Sequence, residues 1–211
     1  NDASATGIGS IDSAGSVNTD AGFSIVSWTG TGSAATLAHS LGAVPKMIIV
    51  KNLTDSVNWF LYNHSVITAS STNKTFMTLN ETKAIESNGT ATTFTSVSST
   101  TFGVGTDNII NGSSDNMIAY VFAEKKGYSK FSKYTGNGNA DGTFVYTGFK
   151  PAFVIIKPSS YANSWLMLDN KRNAFNVTNT RLEADGNGAD SSTLDYADFL
   201  SNGFKIRTSN S

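Results

Sequence analysis

Several segments of the chain alternate between two sets of side chains with a period of two. Residues 23–28 alternate in this way and end at the turn 29–32, whose two glycines suit the positive-φ positions of a hairpin. Residues 58–63 and 116–124 also alternate, with apolar side chains on both faces, which predicts interior strands. Residues 47–50 are continuously apolar, which predicts a strand buried on both faces. Helix-forming runs are missing, so the pattern predicts an all-β protein.

The sequence also matches itself. Residues 22–34 align with residues 127–140, with one residue inserted in the second copy. Residues 102–108 align with residues 204–210 at an offset of 102. Three pairs of identical residues lie 106 positions apart: Pro45 with Pro151, Lys51 with Lys157, and Trp59 with Trp165. These offsets predict an internal duplication.

The duplication predicts the domain organisation and the fold class. We expect two tandem antiparallel β-sandwich repeats, at residues 22–126 and 127–211, preceded by a linker or the end of another domain at residues 1–21. The first repeat closes with the strand at 116–124, and on the 102 offset its counterpart falls beyond Ser211. We therefore expect the second repeat to lack its final strand, which residues outside this sequence or a neighbouring subunit would supply.

Charge and composition exclude several classes of function. The chain has 15 basic and 16 acidic residues, which gives a net charge of −1. It therefore has no excess of positive charge to attract a phosphate backbone or an anionic membrane surface. No apolar run is long enough to span a bilayer. Cysteine is absent, which removes disulfides, thiolate catalysis and cysteine-ligated zinc. We expect neither nucleic-acid binding nor membrane insertion.

The segments that carry the repeat also carry a family resemblance. Residues 22–30, 45–52, 141–157 and 198–207 resemble tandem domains found in virion structural and tail-fibre-like proteins of tailed bacteriophages. The resemblance implies a structural protein of the virion, located on the extracellular particle, most readily a tail fibre or similar projection that contributes to host attachment. Its implied partners are other virion proteins or copies of itself, including a homotrimer. A capsid-decorating or head-fibre protein is the alternative within the same class.

No catalytic arrangement stands out in the chain. His39 lies at a strand edge opposite Val145 on the 106 offset, and we expect it to be a surface or turn histidine because no serine or aspartate recurs beside it in a nucleophile arrangement. The acidic run 183–190 has the first spacings of a calcium loop but lacks the bidentate glutamate at position 12. We expect no enzyme activity, no cofactor and no metal site. A depolymerase would need a pair of carboxylates across a cleft, and the sequence pairs none.

The remaining candidates form a possible glycan site. Sugar rings stack on exposed aromatic faces and accept hydrogen bonds from nearby polar groups. Tyr161 lies in a polar loop, and Asp169, Lys171 and Arg172 lie in a second loop that we expect beside it. His64, at a strand end, is the other candidate contact. A carbohydrate-binding module without catalysis, with a host surface glycan as ligand, is therefore the alternative from a different class.

Overall fold

The computed structural model describes residues 1–209, and its regular structure is almost entirely antiparallel β-sheet. The two helices in this range, α1 (Ala3–Thr6) and α2 (Asn108–Asn111), are single turns, and no helix there has the length and apolar character needed to cross a membrane. The strands are β1 (Ala14–Asn18), β2 (Phe23–Thr29), β3 (Ala35–Ala38), β4 (Met47–Asn52), β5 (Phe60–Asn63), β6 (Thr75–Thr78), β7 (Glu86–Ser87), β8 (Phe94–Val97), β9 (Thr101–Val104), β10 (Asn116–Phe122), β11 (Phe144–Tyr146), β12 (Phe153–Ile156), β13 (Leu166–Asp169), β14 (Leu182–Glu183), β15 (Ala197–Leu200) and β16 (Gly203–Ile206). The predicted all-β class is confirmed.

The chain divides into two compact units. Unit 1 comprises Asn1–Leu79 and Ile85–Lys125, and unit 2 comprises Asn80–Ala84 and Lys126–Ser211. Residues 80–84 belong to unit 2 although they lie within the stretch of chain that forms unit 1, and hydrogen bonds hold them to the rest of unit 2. The Thr82 carbonyl accepts from the Asn163 backbone N–H at 2.7 Å and from the Lys157 Nζ at 2.9 Å.

Unit 1 is built around a seven-stranded sheet in the order β1-β2-β10-β4-β5-β6-β7. β10 therefore lies between β2 and β4, and Ala119 pairs with Val26 on one side and Val50 on the other. Alternate residues of β10 are buried and half-buried, as its period of two predicts. The strand predicted at 116–124 is thus an interior strand, and both of its neighbours in the sheet are far from it in sequence.

Residues 1–21, predicted to be a linker or the end of a preceding domain, contribute a strand to this sheet. Residues 14–18 form β1, which pairs with β2 from Ala14↔Ser27 to Asn18↔Phe23. All five residues of β1 are exposed, so its side chains show no apolar alternation. Backbone pairing with β2 holds this strand, and hydrophobic patterning cannot reveal such an element.

A second sheet, β3-β9-β8, completes the core of unit 1. The ring of Trp28 on β2 meets Phe102 on β9 edge-on at 6.0 Å, and Tyr62 on β5 contacts Phe94 on β8 at 5.5 Å. Phe94 and Phe102 are fully buried. Large side chains of the two sheets therefore pack against each other, as in layered β proteins.

The turn after β2 depends on close backbone contact as well as on positive φ. The turn joins β2 to β3, which lie in different sheets, so the hairpin predicted here does not form. Gly32 has a φ of +67°, whereas the φ of Gly30 is not positive. A Cβ on Gly30 would lie 2.0 Å from the Gly112 carbonyl oxygen. The Gly30 N–H donates to the Asp115 carbonyl at 2.8 Å. Glycine is required here because two backbone segments approach each other too closely for any side chain.

Unit 2 has two three-stranded sheets, β11-β16-β15 and β12-β13-β14. One core joins them, because Leu168 on β13 belongs to the same buried cluster as Phe199 on β15 and Phe204 on β16. The ring of Tyr134 meets Phe204 edge-on at 6.5 Å. This pair corresponds to Trp28 and Phe102 of unit 1 on the two sequence offsets.

The sheets of the two units have corresponding strand orders. The order β3-β9-β8 corresponds to β11-β16-β15, and β4-β5-β6 corresponds to β12-β13-β14. Individual backbone bonds repeat as well, since the His64 N–H donates to the Lys46 carbonyl and the Asn170 N–H to the Ala152 carbonyl, both at 3.0 Å. Of the aligned segment 204–210, Asn210 lies outside the described residues.

Strand register corrects one detail of the alignment. The N–H of His39 donates to Thr100, and the N–H of Thr147 donates to Asn202, which is the equivalent position on the 102 offset. The counterpart of His39 is therefore Thr147, two residues beyond the predicted Val145. The loop before β11 is longer than its counterpart and the loop after it is shorter, which the single offset could not resolve.

Candidate functional site

The predicted ligand-binding residues fall in both units. His64 belongs to unit 1, where it is exposed and lines a shallow groove with Val44, Tyr62 and Ile67. The other four, Tyr161, Asp169, Lys171 and Arg172, belong to unit 2.

Asp169 organises the turn that follows β13. Its Oδ1 accepts the backbone N–H groups of Lys171 and Arg172, both at 2.8 Å. Its Oδ2 accepts the Arg172 Nη1 at 2.5 Å. The backbone N–H of Arg172, helped by that of Lys171 and by the guanidinium charge, holds the pKa of Asp169 below its usual value. Asp169 and Arg172 therefore bond to each other and to their own turn.

Tyr161 lies on an anchored loop between β12 and β13. Its side chain is 47% exposed. Asn163 and Lys157 on either side of it both bond to Thr82, and the Lys157 Nζ lies 5.9 Å from the Trp165 ring centroid. Burial lowers the pKa of Lys157, and the Asp185 carboxylate partly opposes this change. Hydrogen bonds on both sides of Tyr161 therefore hold this loop in place, and Tyr161 is exposed on it.

Tyr161 also lies close enough to Tyr134 to interact electrostatically. Burial, and then the nearby Tyr161, raise the pKa of Tyr134 to about 12. Tyr134 is half-buried against the unit 2 core, so it is a packing residue with its hydroxyl protonated at neutral pH. Tyr161 is the exposed member of this pair.

We expected His39 to be a histidine of the surface or of a turn. It lies at a turn, but its side chain is buried. Its Nδ1 accepts the Leu41 N–H at 3.1 Å, so its Nε2 is the donor to the Ser98 carbonyl at 3.2 Å. Burial lowers the pKa of His39. Both ring nitrogens are used within unit 1, and the residue is structural.

Three acidic residues near the end of the chain are paired with cations or backbone groups. Asp198 accepts the Arg207 Nε at 2.6 Å, Glu183 lies 2.9 Å from Arg181, and Asp185 accepts the Trp165 N–H at 2.6 Å. Among residues 1–209, no three His, Asp or Glu side chains are grouped so that they could hold a metal ion.

The feature of unit 2 with the clearest capacity for binding is the open edge of β12. β12 pairs with β13 on one edge, and no strand among residues 1–209 pairs with its other edge. In unit 1 the corresponding strand, β4, pairs on both edges, with β5 and β10. An open edge presents unpaired backbone N–H and C=O groups to another extended chain.

This edge also exposes large apolar side chains. Phe153 is 54% exposed and Ile155 is 43% exposed, whereas their counterparts Met47 and Ile49 are half-buried. Burial on both faces was predicted for residues 47–50, and β4 reaches it only in part, since Met47 and Ile49 are half-buried. The corresponding side chains of β12 are more exposed, and among residues 1–209 no strand lies beside them on the open edge. The signal for this difference was the missing counterpart of residues 116–124.

The segment that corresponds to β2 forms no strand in unit 2. Residues 128–134 have no regular structure apart from a turn and a single bridge position, although they align with β2 in sequence. In unit 1, β2 pairs with β10 over seven residues. The two segments that would flank a β10-like strand in unit 2 are therefore both present, and neither pairs with a strand between them.

Comparisons with known proteins give one result that bears on identity. A sequence model of the family described as Domain of unknown function (DUF7483) matches residues 1–211. No curated protein and no solved structure matches the chain.

Proposed function

This chain belongs to the DUF7483 family, a domain of unknown function, and on that premise we propose that it is a non-enzymatic structural module of a tailed-bacteriophage virion. In this proposal it forms part of a tail fibre or similar projection on the extracellular particle and contributes to host attachment. Its partners are other virion proteins or further copies of itself.

The observation that carries the structural role is the open apolar edge of β12. An open edge with exposed Phe153 and Ile155 promotes aggregation of an isolated protein. In an assembly the same edge and apolar side chains can form an interface with a partner. Of the twelve exposed large hydrophobic side chains in the described part of the chain, residues 1–209, eight belong to unit 2: Tyr128, Phe144, Tyr146, Phe153, Ile155, Tyr161, Phe175 and Leu194. Unit 2 is accordingly the part that we expect to meet partners.

We propose further that the two units are tandem β-sandwich repeats of one ancestral unit, and that within residues 1–209 the second has no counterpart of β10. The matching strand orders and the repeated aromatic pairs Trp28–Phe102 and Tyr134–Phe204 support this reading. Rigid units joined in tandem transmit position along a projection, which suits a fibre.

The placement on a virion rests on the sequence resemblance, and two measurements test it. Mass spectrometry of purified particles of a phage that encodes this chain should detect it in stoichiometric amounts. Antibodies against the chain should label the tail projections in electron micrographs. Labelling of the head would favour a capsid-decorating or head-fibre protein, and absence from the particles would contradict the proposal.

A homotrimer is the assembly that we propose for the fibre. Sedimentation velocity of the purified chain should give a single species at three times the monomer mass. A strictly monomeric chain across a hundredfold range of concentration would contradict trimer formation by these residues alone.

A second candidate function, glycan binding, is favoured by Tyr161, which is exposed on an anchored loop. Asp169 and Arg172 already bond to each other, which leaves Tyr161 and Lys171, both exposed, as the predicted residues of these two loops for contact with a glycan. Binding to host surface polysaccharide should fall at least tenfold on Tyr161→Ala, since stacking on an aromatic face contributes about 1.5 kcal/mol. Tyr146→Ala, at another exposed tyrosine of unit 2, is the matched control. Cleavage of the polysaccharide would instead indicate a depolymerase.

A further inference from the structure

The shallow groove that His64 lines in unit 1, the unit 1 groove, lies beside the start of β4 and the end of β5. Its volume is about 320 Å³, and all of its lining residues belong to unit 1. That volume is at the lower end of the range for small-ligand pockets and is large enough for one six-membered sugar ring. A single ring is therefore the size of occupant that the groove admits.

Part of the lining is apolar. Val44 is 45% exposed, Val97 is half-buried, and Ile67 is buried at the base of the loop after β5. These side chains favour contact with the C–H face of a ring. Because the groove is shallow, the opposite side of an occupant stays in water and must be polar. A pyranose ring has an apolar C–H face and hydroxyl groups around its edge, so it meets both conditions.

Tyr62 supplies the groove with a hydroxyl that has no protein partner. The residue is 6% exposed, and its ring packs against Phe94 with the centroids 5.5 Å apart. Burial raises the pKa of Tyr62, so its hydroxyl is protonated at neutral pH and can donate a hydrogen bond. No residue among 1–209 bonds to this hydroxyl, which solvent can reach. The packed ring thus holds a donor that is available to a ligand oxygen.

The charge of the lining is positive. Lys46 and His64 line the groove, and none of its lining residues is acidic. Within the described residues, 1–209, the Lys46 Nζ forms no ion pair and no hydrogen bond. Glu124 lies two residues after Phe122, whose carbonyl accepts the Lys46 N–H, but Glu124 does not line the groove. A ligand with a negative charge is therefore the complementary one.

Backbone hydrogen bonds fix these groups relative to one another. The Lys46 carbonyl accepts the His64 N–H at 3.0 Å, and the Asn63 carbonyl accepts the Ile67 N–H at 2.9 Å. The Asn63 Oδ1 also accepts the Ser65 N–H at 2.9 Å. The groove is therefore formed before a ligand arrives, which lowers the entropic cost of binding.

We propose that the unit 1 groove binds a pyranose sugar that carries one carboxylate, a uronic acid, either free or as a residue of an acidic polysaccharide. Lys46 pairs with the carboxylate, the Tyr62 hydroxyl donates to a sugar oxygen, and Val44 and Val97 contact the C–H face of the ring. This site gives His64 a place beside the ligand. It is separate from the Tyr161 loop of unit 2 and independent of where the protein resides.

An NMR titration of the ¹⁵N-labelled full chain with sodium glucuronate tests the site. The amide signals of Lys46, Tyr62 and Thr68 should shift, since all three residues line the groove. A ligand of this size in an open groove should bind with a dissociation constant on the order of 1 mM. Glucose has the same ring without the carboxylate and should bind about tenfold more weakly.

Four variants assign the contributions. Lys46→Gln should remove the preference for glucuronate over glucose, because it removes the positive charge and keeps a polar side chain. Tyr62→Phe deletes one hydroxyl from the packed ring and should weaken glucuronate binding by roughly three- to tenfold. Lys171→Gln and Tyr161→Ala, both at exposed positions of unit 2, are the controls and should leave glucuronate binding unchanged.

An oligosaccharide with a terminal glucuronate distinguishes the two sources of the ligand. Displacement of free glucuronate by the oligosaccharide would support a polysaccharide residue as the ligand, and binding of the free acid alone would support a free sugar acid. Equal binding of glucose and glucuronate, or unchanged preference in Lys46→Gln, would overturn the proposal. So would signals at Lys46 and Tyr62 that stay unshifted at about 50 mM glucuronate. Loss of binding in Tyr161→Ala would place the sugar in unit 2 and also overturn it, while virion localisation is decided by its own experiment.

Discussion

Asn111 offers the sharpest test of how unit 1 is held together. Its side chain is fully buried. Its Oδ1 accepts the Trp28 Nε1–H at 3.3 Å and the Thr31 backbone N–H at 3.2 Å. Its Nδ2 donates to the Ser33 carbonyl at 2.6 Å and to the Gly105 carbonyl at 3.3 Å. One amide therefore joins the end of β2, the following turn and the segment after β9.

Replacing Asn111 by Ala removes all of these bonds at once. The Trp28 Nε1–H and the Gly105 carbonyl, which it leaves behind, belong to buried residues, whereas the Thr31 N–H and the Ser33 carbonyl belong to exposed residues that water can reach. Each buried polar group left without a partner costs about 1–3 kcal/mol, and partial relaxation reduces the sum. We expect Asn111→Ala to lower the free energy of unfolding of unit 1 by about 3–5 kcal/mol.

Urea unfolding followed by tryptophan fluorescence and circular dichroism measures this change. Trp28 and Trp59 report on unit 1 and Trp165 on unit 2, so separate transitions can be assigned with Trp→Phe variants. The matched control is Asn116→Ala, whose side chain is exposed at the start of β10 and should change stability by less than about 0.5 kcal/mol. If Asn111→Ala and Asn116→Ala prove equally mild, the reasoning about Asn111 is wrong.

Three other substitutions test separate features by the same unfolding assay. Gly30→Ala should destabilise unit 1 by more than about 2 kcal/mol, because the new Cβ would meet the Gly112 carbonyl oxygen. Gly188→Ala is the control, and it should be neutral because the space around Gly188 is open. Equal effects of the two substitutions would contradict the argument from close backbone approach. Burial lowers the pKa of His39, so the unfolded chain takes up a proton below about pH 6.5 before the folded protein does, and stability should fall from pH 7 to pH 5 by an amount that His39→Gln reduces. An unchanged pH slope in that variant would exclude His39 as the cause. Asp169→Ala should lower the stability of unit 2 by about 1–2 kcal/mol through loss of its turn bonds, while Asp190→Ala, at an exposed carboxylate of the same unit, serves as the control.

Much of the strand content follows from the sequence alone. The alternation at 116–124 predicted β10, and strands lie at both positions of two aligned pairs, β5 with β13 at the 106 offset and β9 with β16 at the 102 offset. Side-chain periodicity is a local property, because each residue of a strand points to the face opposite its neighbour whatever the strand pairs with. Local patterns of this kind can be read without knowledge of the fold.

The candidate site was less accessible to sequence analysis. The absence of a counterpart to residues 116–124 pointed to an open slot, but it did not show which side chains would be exposed beside that slot. Exposure of Phe153 depends on which strand lies beside it, and strand neighbours are set by contacts far apart in sequence. For the same reason, the polar groups of Asp169 and Arg172 could be located in a loop but could not be known to bond to each other.

The amino-acid sequence determined the all-β class, the internal match and the positions of most strands, because these depend on side-chain alternation and on turn residues. Only the tertiary structure decided that β10 lies between β2 and β4, that exposed residues 14–18 form a strand, and that residues 128–134 do not. Two aligned segments, 23–29 and 128–134, differ in structure for one physical reason. A strand is completed by hydrogen bonds to a neighbouring chain segment, and β10 provides that neighbour in unit 1 alone.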